Sequence, residues 1–430
     1  MAVTTGGSGS WRVIDSLLEG IPIPKMVKVH QNFFLPEVID IQNALTAQLS
    51  SETLWAPLKR GDTVAIGIGS RGIDGQIEAV RTLVSAIKER GGVPFLVPAM
   101  GSHAGATAEG QKAMLLTLGM DQVDAPIKSS METVLLGRCP DGMPVLVDRF
   151  AHEADHLIII NRVKSHVCFR GPYESGLVKM IAIGLGKQQG AEIAHNLGFG
   201  RMPHHIEAIA TEALNHLKLL FAVALVEDAT HRCSHIEVIA PDDLLTREPE
   251  LLKLSKSWEA RLHFETLDAL VIDEIGKHIS GSGFDTNVVG RYHSEHITGG
   301  PKITRVAILD IASESNGNGN GLGMADFTTV RAVEKFDFAQ TYPNTLTALL
   351  TGGVKIPMVL MNDRQVFQAC MKTSYRQRWE EARIVRIRNT LSLGEIEVSE
   401  SIVPEIEHDS RFEIIGEPYE LQFNDEGNLF

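Results

Sequence analysis

TVAIGIGSRGIDGQIEAVRTLVSAIKERGGVPFLVPAMGSHAGAT, residues 63–107, carries the alternation on which the fold class rests. Residues 63–68 form a short β-rich run, 75–90 have the apolar spacing of an amphipathic helix, 93–97 form a second β-rich run, and a further helix follows over 107–118. Short strands separated by helices imply a mainly parallel sheet, because parallel neighbours need a long crossover connection.

The same grammar continues outward. Apolar runs at 143–147, 156–160 and 220–226 read as further strands of the first sheet, the middle ones buried on both faces. A charged helical stretch at 241–259 reads as a connector. Beyond it, β-rich runs at 267–272, 305–311, 356–361 and 383–388, with helices at 344–350 and 364–372, make a second α/β set. A chain of 430 residues exceeds one core of ordinary size. The expected architecture is therefore α/β in two domains, each an open, mainly parallel sheet with helices. The first spans 1–262 and the second 263–405, with the strand-rich segment 406–430 a candidate to return to the first. The low-complexity segment SNGNGNGLG, 315–323, is expected to be a surface loop, either a mobile lid or a passive connector.

Composition narrows the function classes. A hydrophobic share of 43% and a charged share of 22% are those of a globular chain. The net charge of -14, with Lys and Arg scattered, opposes nucleic-acid binding. Cys139, Cys168, Cys233 and Cys370 are far apart without a CxxC pair, which argues against a disulfide scaffold or zinc ribbon and for a reducing compartment. The N-terminal MAVTTGGSGSW lacks a secretory pattern, and no apolar run reaches membrane-spanning length, so the expectation is a cytoplasmic protein with no membrane partner.

Three segments carry candidate chemistry. Gly67-Ile-Gly69-Ser70-Arg71-Gly72 is a GxGxxG between a strand and a helix, where backbone N–H groups suit a phosphate or carboxylate and Arg71 faces the anion; a plain tight turn is the alternative. A dinucleotide reading requires an acid at the end of the second strand, but Val97-Pro98-Ala99-Met100 stands there. Gly101-Ser102-His103-Ala-Gly-Ala-Thr107 puts His103 at the carboxyl edge of the sheet, as an acid/base group or as a helix cap. In the third, Asn161-Arg-Val-Lys164-Ser-His166 also follows a strand, and Lys179 stands inside the apolar Leu177–Ile183 stretch. A lysine there is paired, neutral or covalently used, unless its head reaches water. A metal reading of His204-His205 and of His231-Arg-Cys233-Ser-His235 lacks a recognisable fourth ligand and is set aside.

Read in order, these residues resemble the nickel-pincer nucleotide-dependent lactate racemase family and its relatives acting on other 2-hydroxy acids, over most of the first domain and part of the second. The resemblance implies His103 and His166 as paired acid/base residues. It implies Lys179 as the attachment point of a nickel-pincer nucleotide, a pyridinium-3-thioamide-5-thiocarboxylate mononucleotide, with Gly69, Ser70 and Gly72 on the cofactor side. His195, sixteen residues after Lys179, matches the family's nickel ligand. Arg71 and Lys277, the latter in Asp273-Glu-Ile-Gly-Lys277-His-Ile279, match the substrate-side cations, in a site between the domains. The implied activity is racemisation or epimerisation of a 2-hydroxy acid by hydride removal and return, and the implied partners include cofactor-maturation proteins. The stretch from His166 to Lys179 is longer than in lactate-acting members and holds Arg170, Pro172, Tyr173 and Glu174, implying a different acid; the family's second-domain aromatic residue matches no tryptophan here. A NAD-type dehydrogenase and a non-catalytic carboxylate or nucleotide sensor are the competing readings.

Overall fold

The computed structural model describes residues 11–196 and 198–430. The first ten residues, to which the reading of a missing leader applies, lie outside the described residues. The chain divides into two compact units, Phe34–Glu259 and a second made of Ala260–Phe430 together with the residues up to Phe33.

Phe34–Glu259 is built on a five-stranded sheet among the described residues, in the order Val93–Pro98, Thr63–Ile68, His156–Arg162, Leu219–Glu227, Cys233–Ile239. The first four strands are parallel and the last is an antiparallel edge. The inner strands are apolar without interruption because helices cover the sheet. Ile66, Ile68, Ile158, Ile160 and Val223 pack in one cluster with Leu83 and Ile87 of the Gln76–Glu89 helix. The run expected at 143–147 is a strand, Pro144–Asp148, but it pairs with Thr133–Arg138 in a separate hairpin and does not join this sheet.

The other unit holds an eight-stranded sheet among the described residues, in the order Met358–Leu360, Phe327–Thr329, Lys302–Ile311, Thr266–Ile275, Ile384–Ile387, Glu395–Ser399, Met26–Gln31, Phe412–Tyr419. The first five strands are parallel and the rest antiparallel. Strand periodicity divides its core into two faces. Leu270, Ile272, Val306 and Ile308 point to one cluster, and Ala269, Val271, Ala307 and Leu309 to the other.

Two expectations about domain limits are corrected here. The segment 406–430 does not return to the first unit, because Phe412–Tyr419 pairs antiparallel with Met26–Gln31. That N-terminal strand in turn pairs with Glu395–Ser399, so the beginning of the chain belongs with its end. No helix of the described residues is long and apolar enough to cross a membrane.

Candidate active site

The candidate residues of the Phe34–Glu259 unit gather where its parallel strands end. Thr63–Ile68 runs into Gly69-Ser70-Arg71-Gly72, and Ile73–Gly75 intervene before the Gln76–Glu89 helix begins. A methyl group at Gly69 would sit 3.4 Å from Asn161 Oδ1 and from Met180 Cε, so the loop lies against the residue that follows Lys179. The neighbouring strand ends at Pro98, followed by buried Ala99 and Met100, and no carboxylate occupies the place a ribose would need.

His103 is exposed and its Nδ1 lies 2.5 Å from Ser70 Oγ. The capping alternative is settled by Thr107, whose side chain accepts the Gly110 N–H and so caps the Ala108–Thr117 helix. Between them Ala104 (φ 55), Gly105 (φ 71) and Ala106 (φ 53) follow one another in left-handed backbone. Two such alanines on either side of a glycine are costly, and strain of this kind collects at functional segments. Ser70, read as a cofactor-side residue, is thus bonded to the histidine.

His166 leaves the His156–Arg162 strand in a loop held by carboxylates. Glu174, buried, accepts the His166 N–H at 2.7 Å and pairs with Lys256 at 2.7 Å. Glu259 accepts the backbone N–H and hydroxyl of Ser165 at 2.8 and 2.7 Å. Nδ1 of His166 accepts the Cys168 N–H at 3.1 Å, which puts the proton of the neutral ring on Nε2. The bulky residues between His166 and Lys179 are largely engaged within this framework. Tyr173 donates to Leu245 O at 2.7 Å and Arg170 to His166 O at 2.7 Å.

Lys179 ends the short helical turn Leu177–Lys179, which continues as a π-helix over Met180–Gly184, a geometry frequent at functional sites. Glu248, from the Leu244–Trp258 helix, accepts the Val178 N–H at 2.8 Å, and its carboxylate fills the space a side chain on Gly176 would need. Burial pushes the Glu248 carboxyl up to about 7 against those N–H groups. The stretch read as a connector therefore braces the candidate site through Glu248 and Glu259.

The Lys179 ammonium, half-buried, has no hydrogen bond or ion pair among the described residues, and its Nζ lies 5.8 Å from the Phe169 ring. Burial lowers it to about 8; Arg71 adds to that shift, and Cys168 and Glu174 oppose it. Arg71 is likewise half-buried and unbonded among the described residues, and it is pushed down first by burial and then by the charge of Arg162. Two close cations without a carboxylate between them form a place for an anion.

His195 closes the Lys187–His195 helix. Its Nδ1–H donates to Ala191 O at 2.6 Å, so Nε2 keeps its lone pair, as in histidines that bind metal. Burial and, more weakly, Lys179 lower its pKa, opposed by the Ala191 bond, which favours the neutral ligating form. Phe199 joins both histidines, its ring 6.2 Å from His166 and 5.5 Å from His195, and Phe169 lies 4.2 Å from His166. Among the described residues no group of three or more His, Cys, Asp or Glu side chains could hold a metal alone. A nickel held mainly by a nucleotide's own atoms, with His195 as the protein ligand and Lys179 as the tether, fits this set.

Lys277 belongs to the other unit, in the loop after Thr266–Ile275. Its Nζ donates to Gly281 O at 2.8 Å and its N–H to Ser315 Oγ at 3.1 Å. The glycine- and asparagine-rich 315–323 segment is neither lid nor passive surface loop. Ser315, Asn318 and Gly319 are buried, and Asn320 donates to Gly281 O at 3.1 Å. A side chain at Gly283 would collide with Asn320 O and one at Gly319 with the Phe336 ring, so these glycines are required for close backbone approach. The segment thus buttresses the Lys277 turn. His293 nearby is lowered to about 4 by burial and by Lys277.

Residues 26–205 match the family model described as the lactate racemase N-terminal domain. That stretch, less than half of the chain, is thus similar to the N-terminal domain of lactate racemases. Among solved structures it is similar to the lactate racemase apoprotein from Thermoanaerobacterium thermosaccharolyticum, at 16% identity and a TM-score of 0.49, over 78% of this chain and 88% of that one. No curated protein matches the chain. His103, His166, Lys179 and His195 all lie within the stretch matched to the lactate racemase domain; Lys277 lies outside it.

Proposed function

We propose that the protein is a racemase or epimerase of a 2-hydroxy acid that works with a nickel-pincer nucleotide tethered at Lys179 and ligated by His195. The observation that carries this reading is the unpaired, half-buried Lys179 ammonium beside unpaired Arg71, in the stretch that matches the lactate racemase domain. When bound, the nucleotide with its nickel supplies the acceptor and donor for the hydride of the substrate's C2.

This chain's own residues do the rest. Arg71 and Lys277 are the cations for the substrate carboxylate. His103 and His166 move the hydroxyl proton. Neutral His166 carries its proton on Nε2, because Nδ1 accepts from Cys168, and so offers an N–H donor to the substrate oxygen. In the tautomer that donates Nδ1–H to Ser70, the basic nitrogen of His103 is Nε2, and His103 then serves as the base. The Ser70 hydroxyl both donates and accepts, so His103 exchanges roles when the reaction runs the other way.

The test is incubation of protein, produced with cofactor-making proteins and nickel, with single enantiomers of 2-hydroxy acids deuterated at C2, followed by chiral chromatography. The expected result is the opposite enantiomer with its deuterium retained, abolished in His103→Ala and His166→Ala. Inversion with the label washed out to solvent would instead mean proton abstraction at carbon, and no inversion of any 2-hydroxy acid would refute the reading.

A further inference from the structure

We propose that Lys187, ion-paired with Asp148, is a positioning residue that fixes the His103 loop against the segment carrying Lys179 and His195, an inference that rests on the acid/base role given to His103 above. Lys187 is the first residue of the Lys187–His195 helix and is fully buried, with a left-handed φ of 54° that a lysine rarely adopts. Its Nζ is 2.9 Å from Asp148 Oδ2, and Asp148 is buried equally and caps the Arg149–Glu153 helix through Ala151 N–H.

The remaining bonds of the ammonium all reach the His103 segment. Nζ donates to Pro98 O at 2.5 Å, the last residue of the strand that leads to His103. It also donates at 3.2 Å to Oε1 of Gln111, a fully buried side chain on the helix that leads away from His103. Gln111 Nε2 then donates to Gly101 O at 2.8 Å and lies 3.5 Å from His103 O. One ammonium therefore holds both ends of the excursion on which His103 stands. A second seam lies alongside, where Gly101 N–H donates to Gly184 O at 3.0 Å. Gly184 admits no side chain, because a Cβ there would sit 2.6 Å from Ala99 O.

A buried ion pair is a poor source of net stability compared with apolar side chains of equal volume. Its presence here, on a backbone conformation unfavourable to lysine, is accounted for by placement: the bonds set the spacing between the base and the tether. The left-handed Ala104–Ala106 turn beside His103 needs such a restraint to persist.

The experiment compares wild type, Gln111→Leu and the double variant Lys187→Met with Asp148→Asn, each as the full chain labelled with ¹⁵N-histidine. Gln111→Leu cuts the relay while leaving the ion pair. The expected result is cooperative unfolding in both variants, with ring-nitrogen shifts of His103 moved away from the Ser70-bonded tautomer. In cofactor-loaded protein kcat should fall by ~10–100-fold with KM little changed. Wild-type His103 shifts in both variants would overturn the proposal. So would a Gln111→Leu chain unable to fold, which would make these bonds general scaffold. If loaded wild type inverts no hydroxy acid, the functional reading fails, while the His103 shifts still decide the placement.

Discussion

Lys179 and Lys187 lie on successive helical segments of the same unit, one half-buried and one fully buried, and they are treated in opposite ways. Lys187 has a carboxylate at 2.9 Å and two further acceptors. Lys179 has none among the described residues; it stands near the Phe169 ring and feels the repulsion of Arg71 and the attraction of Cys168 and Glu174. Burial presses on both charges; at Lys187 a bonded Asp148 opposes it, while at Lys179 the opposition comes from Cys168 and Glu174 without a hydrogen bond or ion pair. A buried lysine with a full set of partners fixes the segments it bonds, as proposed for Lys187. One left without them has the chemistry suited to a nucleophile or a tether, the role proposed for Lys179. Lys277 adds a third case, bonded to a backbone carbonyl inside a turn interlocked with 315–323.

Substitutions can break or sharpen this contrast. The largest effect is expected at Lys187. Lys187→Met leaves Asp148 as a buried, unpaired carboxylate and should cost ~3–5 kcal/mol in urea unfolding, whereas Lys179→Met should cost nothing at neutral pH. Equal effects at the two positions would dissolve the distinction. Next comes Gly283→Ala, which meets both a φ of +86° and the Asn320 carbonyl. It should lower the stability of its unit by about 1–3 kcal/mol, read by denaturant melts.

Smaller effects are set by pH. Lys179 in the folded chain titrates at about 8 instead of 10.5, so between these values the unfolded chain binds more protons and wild-type stability rises with pH. Lys179→Met should therefore be more stable than wild type below pH 8, with the advantage gone near pH 10.5. Glu248 works in the other direction. Its folded carboxyl stays protonated up to about 7 instead of 4.5, so that contribution is lost as pH rises through this window. Glu248→Gln, which retains an oxygen for the Val178 N–H, should gain on wild type above pH 7 and match it below pH 4.5. Unfolding curves at three or four pH values check both signs.

The parallel part of the fold was legible because strands buried on both faces appear as unbroken apolar runs between helical spacings. The pairing of Met26–Gln31 with Phe412–Tyr419 was not, since no local periodicity encodes a partner from the far end of the chain. The same holds for the Pro144–Asp148 strand, whose apolar run does not say which sheet it joins. Within the candidate site, His103 and His166 were readable from their strand-end positions, and Lys179 from its apolar surroundings. The braces were not. Glu248 and Glu259, in a charged helical stretch, look like a solvated face until the fold turns them onto backbone N–H groups. Lys187 left one local trace, the small residues Gly184 and Gly186 just before it, which allow its close burial. The 315–323 segment misled because glycine and asparagine suit exposed loops and tight backbone packing alike.

The central claim is that Lys179 is unpaired because it is a covalent tether. It is tested most directly by intact mass and nickel content of protein produced together with the cofactor-making proteins, for wild type, Lys179→Ala and Gln111→Leu. The account predicts a nucleotide-sized mass increase with about one nickel per chain in wild type and Gln111→Leu, and neither in Lys179→Ala. An adduct that survives Lys179→Ala, or wild type without adduct or nickel, would contradict it.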